Sequence, residues 1–197
     1  MTCLLPPDDL HHMVPDARRR LTVAGMSSIR GLNVRVTGNL RVLLLEMIAS
    51  GVVATAFLDL WQRLLRLLTG LPAGNWAFVG RWFVHALRGR FMHSPVAASP
   101  EVPNELPIGW VFHYAVGVVY GVVYVLLLRY GLGIEPTLLN GLVFGVLSVV
   151  VPWFFFMPAM GAGVLGSKTP APLKACLQSL AAHAAFGLGL AVGAMVV

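Results

Sequence analysis

Between Ile108 and Leu128 this chain runs for twenty-one residues without a lysine, arginine, aspartate or glutamate. At ~1.5 Å of rise per residue, about 20 apolar residues coiled as a helix cross the ~30 Å hydrocarbon core of a bilayer. Nothing in that core can bond an exposed peptide group, so a helix is the form such a segment must take. Comparable apolar blocks run over 138–157 and 177–197, and a fourth over 43–62 carries Glu46 and Asp59 near its ends. The expected fold is therefore all-α: a polytopic membrane protein built as a bundle of four transmembrane helices. Composition agrees. Only 11% of the residues are charged, against about 25% in a soluble domain, too few to cover a water-exposed surface.

Residues 1–42 are unlike the rest. They hold six arginines and three acids and show no sustained helical or strand period. They read as a basic, disordered tail ahead of a membrane domain at 43–197, or as a sign that translation begins downstream, at Met26 or near Met47. The net charge of +6 does not point to nucleic acid. The basic residues flank the apolar blocks, where lipid head groups are the expected partner. Cys3 and Cys176 have neither disulfide nor metal-site spacing.

Lysine and arginine in short loops stay in the cytoplasm. Let side A be the face of the N-terminus and of the link between spans two and three, and side B the opposite face. Side B carries Arg63, Arg66, Arg81, Arg88, Arg90, Lys168 and Lys174, and side A carries Arg129 with the six arginines of the tail, a tie at seven each. A start at Met26 lowers side A to four. That count makes the 61–107 loop cytoplasmic and puts both termini outside. All five tryptophans, Trp61, Trp76, Trp82, Trp110 and Trp153, fall at or near side B, as expected of rings resting at head-group level.

Within the long link, Gly70 and Pro72 should stop span one near Leu68. Asn75 can cap a helix from Trp76 to about Leu87. Its apolar Trp76, Val79, Phe83 and Leu87 share one face against Arg81 and Arg88, the pattern of an interfacial amphipathic helix; a re-entrant segment is the alternative. Pro95, Pro100, Pro103 and Pro107 then predict extended chain. Pro152 should kink span three before an exit at Met157-Pro158. Three spans carry GxxxG, at Gly117/Gly121, Gly141/Gly145 and Gly189/Gly193, so helices approach closely, in a tight bundle or in a homo-oligomer.

Ionisable groups inside a membrane are expensive and point to function. Asp59, His113 and His183 form the candidate intramembrane cluster. The histidines lie five and six residues inside their apolar blocks, at matching depths of about 8 and 9 Å. Three readings stand: a hydrogen-bonded network lining a wet vestibule, ligands for a metal or haem, or polar glue between helices. His85, His93, Asn75, Arg81, Arg90 and Lys168 are candidate contributors from the loops. No cofactor is specifically expected, because no HxxH or ExxH spacing occurs. No Walker loop, GxSxG or HExxH marks an enzyme.

Several blocks occur in one order: Asp59-Leu60-Trp61, Leu71-Pro72, Asn75-Trp76, Gly80-Arg81-Trp82, Gly89-Arg90-Phe91 with His93, Gly109-Trp110, and His113-Tyr114. Pro158, Gly161-Ala162-Gly163, Ser167-Lys168-Thr169-Pro170, and His183 with Phe186-Gly187 follow. Over roughly residues 45–197 the chain resembles a bacterial family of small four-helix integral membrane proteins known only as a domain of unknown function. The resemblance implies a four-span protein of the inner membrane and no activity. The functional expectation is a protein that binds or passes a proton or small solute at a polar vestibule near the cytoplasmic face. A structural partner of a larger membrane complex and a metal- or haem-dependent membrane enzyme are the alternatives.

Overall fold

The structure, a computed structural model, describes residues 39–70 and 74–197. By its contacts the chain divides into Met1–Leu43 and Leu44–Val197. Of the first unit only 39–43 are described, and they are helical; the expectations for the tail lie otherwise outside the described residues. The second unit holds everything below.

Four helices are long and apolar enough to cross a membrane. They are α1, described over Asn39–Thr69, α3 (Glu105–Leu132), α4 (Leu138–Ala159) and α5 (Pro172–Met195). Between α1 and α3 lies α2 (Trp76–Leu87). Each helix outruns its apolar block, because a helix does not end where the hydrocarbon does: its caps end it. Gly70 closes α1 in the left-handed region at φ 70°, a conformation glycine adopts without a Cβ penalty. Asn75 caps α2 as expected, its Oδ1 accepting from the Ala77 N–H at 3.0 Å. Thr137 and Asn140 form a reciprocal capping box on α4. Proline at the first turn of α5 starts that helix five residues before the block at Leu177.

The expected kink at Pro152 takes the form of a π-helical segment, Pro152–Phe156, after the regular part of α4 ends at Ser148. Proline has no N–H to donate and its ring displaces the preceding turn; the wider π turn accommodates both. The end of α3 is π-helical as well, over Leu127–Leu132.

Glycine sets the helix contacts. A Cβ on Gly117 or Gly121 would strike Gly51, Thr55 or Met47 of α1, and one on Gly189 or Gly193 would strike α1 at Ala49, Ser50 or Ala54. Gly141 and Gly145 meet Gly187 of α5. All three GxxxG faces are thus occupied within the chain. Gly80 of α2 and Gly109 of α3 allow the same close approach, each lying against the other helix's backbone.

The buried face of α2 differs from the expectation. Gly80, Arg81, Trp82, His85 and Ala86 are buried, whereas Leu87 is 73% exposed. Arg81 turns inward because every N–H of its guanidinium finds an acceptor. Nε and Nη2 grip the two Glu105 oxygens at 2.8 Å each, and Nη2 also reaches Glu101 at 3.1 Å. Nη1 donates to the carbonyls of Ala97 and Ser99, both at 3.1 Å. These carboxylates hold the guanidinium pKa above its ordinary value. A bidentate carboxylate with a fully satisfied fork is the setting in which an arginine can leave water.

The proline-rich link is stapled rather than free. His85 Nε2 donates to the Pro100 carbonyl at 3.0 Å, and Trp82 Nε1 to that of Phe91 at 2.9 Å. The amides of His93 and Val96 bond the carbonyls of Ala159 and Met160 at 2.9 Å, tying the link to the end of α4. His93 Nε2 donates to the Arg90 carbonyl at 3.2 Å, so its Nδ1 accepts from the Ser99 hydroxyl at 2.7 Å. This arrangement needs a neutral ring. Burial pushes the His93 pKa below its ordinary 6.5, and repulsion from Arg90 and His85 adds to that. The folded link therefore resists protonation that the unfolded link accepts. Its full stability is present above about pH 6.5 and falls as pH drops below that value. Hydrogen exchange over 90–102, corrected for the intrinsic rate, should accelerate between about pH 7.5 and pH 5.5, and His93→Gln should remove the dependence. Constant protection across that interval would contradict the assignment.

Candidate functional site

Toward side B the helices part around a cavity of about 420 Å³. Its apolar wall is largely aromatic and includes Trp61, Trp76, Phe112, Tyr120, Phe156 and Phe186. Its polar wall consists of Gln62, His113, Gln178, Ser179 and His183, and no aspartate, glutamate, lysine or arginine lines it. The π segment of α4 contributes Pro152 and Phe156, so the irregular turn shapes the cavity directly.

Asp59 of α1 and His113 of α3 do meet. Asp59 Oδ1 accepts from His113 Nε2 at 3.0 Å, and Oδ2 accepts from the Tyr114 hydroxyl at 3.2 Å. Trp76 of α2 stacks on the imidazole, with ring centroids 3.7 Å apart and planes 23° from parallel. The ring is therefore oriented by a carboxylate behind it and an indole on its face. Asp59 is not part of the cavity wall; it acts on the cavity only through His113. With Nε2 donating to Asp59, the remaining nitrogen Nδ1 accepts when the ring is neutral and donates when it is charged.

His183 is not joined to that pair. Its Nδ1 lies 2.8 Å from the Ser148 hydroxyl, which is itself 2.7 Å from the Gly145 carbonyl. A carbonyl can only accept, so the single Ser148 proton goes to Gly145 and His183 Nδ1 must donate to Ser148. That fixes the tautomer and leaves Nε2 as an acceptor on a residue lining the cavity. The candidate cluster is thus two sites, Asp59–His113 and Ser148–His183, facing one cavity.

The loop candidates serve elsewhere. Asn75 caps α2, and Arg81, His85 and His93 belong to the staple described above. Arg90 supplies its carbonyl to His93 and has an exposed side chain. The Lys168 amide bonds the Ala162 carbonyl at 2.9 Å, and its side chain is exposed. His85 and His93 approach each other, with ring centroids 5.4 Å apart, but His85 Nε2 and both His93 ring nitrogens are engaged by backbone carbonyls and Ser99. Among the described residues no three His, Cys, Asp or Glu side chains are grouped to hold a metal ion.

Sequence reasoning passed over Ser148, Gln62, Gln178 and Ser179. Gln178 and Ser179 lie five and four residues before His183 in α5, a helical spacing that was legible. Ser148 is a lone hydroxyl in an apolar block, and nothing in its neighbourhood marks it. A second buried pair also went unpaired in that reading. Glu46 accepts from Arg129 Nε at 2.9 and 3.0 Å toward side A, and Arg129 Nη1 reaches Glu135 at 2.8 Å.

The tautomer assignment is testable. In wild-type protein, nitrogen-15 NMR should find His183 protonated at Nδ1. Ser148→Ala removes the acceptor and should shift the ring toward the Nε2-protonated form; identical spectra would refute the bond.

No curated protein and no solved structure matches the chain. A family model described as protein of unknown function (DUF2938) matches residues 48–197, which include both histidine sites, α2 to α5 and α1 from Ile48 onward. The chain belongs to the DUF2938 family.

Proposed function

We propose that this protein binds a small, uncharged, membrane-soluble molecule in the side B cavity, its polar end held by His113 and His183. The observation that carries this reading is the wall itself: aromatic and aliphatic surface with two imidazoles, two amides and two hydroxyls, and no aspartate, glutamate, lysine or arginine among its lining residues. Cavities of ~300–1,000 Å³ with a few convergent polar groups are where small ligands bind, and the volume here is about 420 Å³. An ion would find no counter-charge in that wall. Binding is favoured over passage because glycine contacts close the helices beyond it. Gly121 lies against Gly51 and Met47, and Gly145 against Gly187, on the side A flank of the cavity.

The test is to extract purified protein and quantify small molecules by mass spectrometry. Ala182 is in the wall and nearly buried, so Ala182→Phe fills the space. Wild-type extracts should carry a neutral compound near one per protein, lost in Ala182→Phe. His183→Leu should lower its occupancy about tenfold, the effect of one hydrogen bond. Wild-type extracts no richer than those of Ala182→Phe would overturn the reading.

We further propose that side B is cytoplasmic, in a bacterial inner membrane, with both termini outside. The side B charges Arg63, Arg66, Arg88, Arg90, Lys168 and Lys174 are all exposed, and the positive-inside rule supports that orientation. Ser94 is exposed on the link. With Cys3 and Cys176 replaced by serine, Ser94→Cys should react with an impermeant maleimide only after the membrane is opened; labelling of intact cells would reverse the topology.

A further inference from the structure

A second hollow of about 530 Å³ lies open on the outer surface between α1 and the start of α5. Its lining is apolar except for Lys174 and Gln178, and Lys174 is the one charged residue among the lining groups. Leu173 and Leu177, on its α5 side, are 73% and 54% exposed. Both walls belong to helices long and apolar enough to span a membrane, so the material facing this groove is lipid. The groove adjoins the cavity, and Trp61, Leu65 and Gln178 line both spaces. The Trp61 Nε1–H in that shared wall is buried without a hydrogen-bond partner among the described residues.

We propose that this groove is a binding site for an anionic phospholipid, with the phosphate on Lys174 and one acyl chain along Leu177, Leu65 and Trp61. Three observations converge on that occupant. The groove is long-walled and apolar, which suits a hydrocarbon chain. Its only charge is positive and sits at the α5 end that begins the membrane-crossing helix, where a phosphate of the adjoining leaflet lies. The same end is a helix N-terminus with Pro172 in its first turn and no side-chain cap on Ala171, so its free N–H groups add to the positive potential. A zwitterionic lipid would bring its own cation to Lys174; an anionic one does not. Trp61 stands between groove and cavity, so the bound chain packs against the outer side of the cavity's wall.

The test uses the full chain reconstituted in vesicles, with acyl-brominated phosphatidylglycerol or acyl-brominated phosphatidylcholine as a minor component. Bromine quenches an indole it touches. Wild-type protein should be quenched at least twice as strongly by the brominated phosphatidylglycerol. Lys174→Gln, an exposed position where folding should be unaffected, should equalise the two lipids. Trp61→Phe should remove the lipid-dependent part of the signal, with the other four tryptophans as an internal reference. Inorganic phosphate added at millimolar concentration should not abolish the preference, since the chain contributes to binding. Equal quenching by both lipids in wild type, a preference that survives Lys174→Gln, or an unchanged signal in Trp61→Phe would each overturn the proposal. None of these readouts depends on what fills the cavity, so the two proposals can fail separately.

Discussion

Close backbone contact at glycine is the interaction on which this bundle depends. Lipid tails are as apolar as leucine, so helices in a membrane gain nothing by hiding hydrocarbon from one another. They gain by packing, and packing is best where no side chain keeps backbones apart. Gly117 and Gly121 press α3 onto α1, Gly189 and Gly193 press α5 onto α1, and Gly141 and Gly145 press α4 onto Gly187. Every spanning helix is thereby tied to another at short range. Toward side B the glycines give way to Trp61, Trp76, Phe112 and Phe156, rings too large for such contact, and the helices part around a cavity. One rule, small residues closing and large ones separating, accounts for both the tight end and the open end.

The second constraint is that every carboxylate in the described spanning helices has a partner. Glu46 has Arg129, Asp59 has His113 and Tyr114, and Glu105 has Arg81. Each bond joins two helices, so the polar groups also select which helices are neighbours. Only His183 sits deep without a charged partner, and its serine contact suits a neutral ring. The result is a cavity whose polar wall is uncharged although the Asp59 carboxylate lies directly behind His113. The proposed binding of an uncharged molecule rests on that wall.

Much of this was legible because membrane helices write their own signature. Run length and hydropathy mark the spans; Gly70, Asn75 and Pro152 mark stops, caps and the irregular turn at the positions where the structure has them. The intramembrane ionisable groups also pointed to the cavity, which His113 and His183 line and Asp59 adjoins. What misled was pattern read without partners. Arg81 looked like the wet face of α2 because arginine usually is wet; Glu101, Glu105 and two carbonyls from a distant loop reverse that. His183 looked like a partner of Asp59 and His113; Ser148, on another helix, takes it instead.

The sequence by itself determined that the chain is a membrane protein of four helices, since hydrocarbon admits no other way to satisfy backbone polar groups over such runs. It also determined where those helices bend, end and touch closely, because proline, glycine and capping side chains act within a turn of where they stand. Only the tertiary structure decided that Asp59 orients His113, that Ser148 sets the tautomer of His183, and that both rings face one uncharged cavity. Those are contacts between residues 35 to 54 positions apart, and the geometry of such pairs depends on rotation and depth of whole helices. A local pattern carries neither.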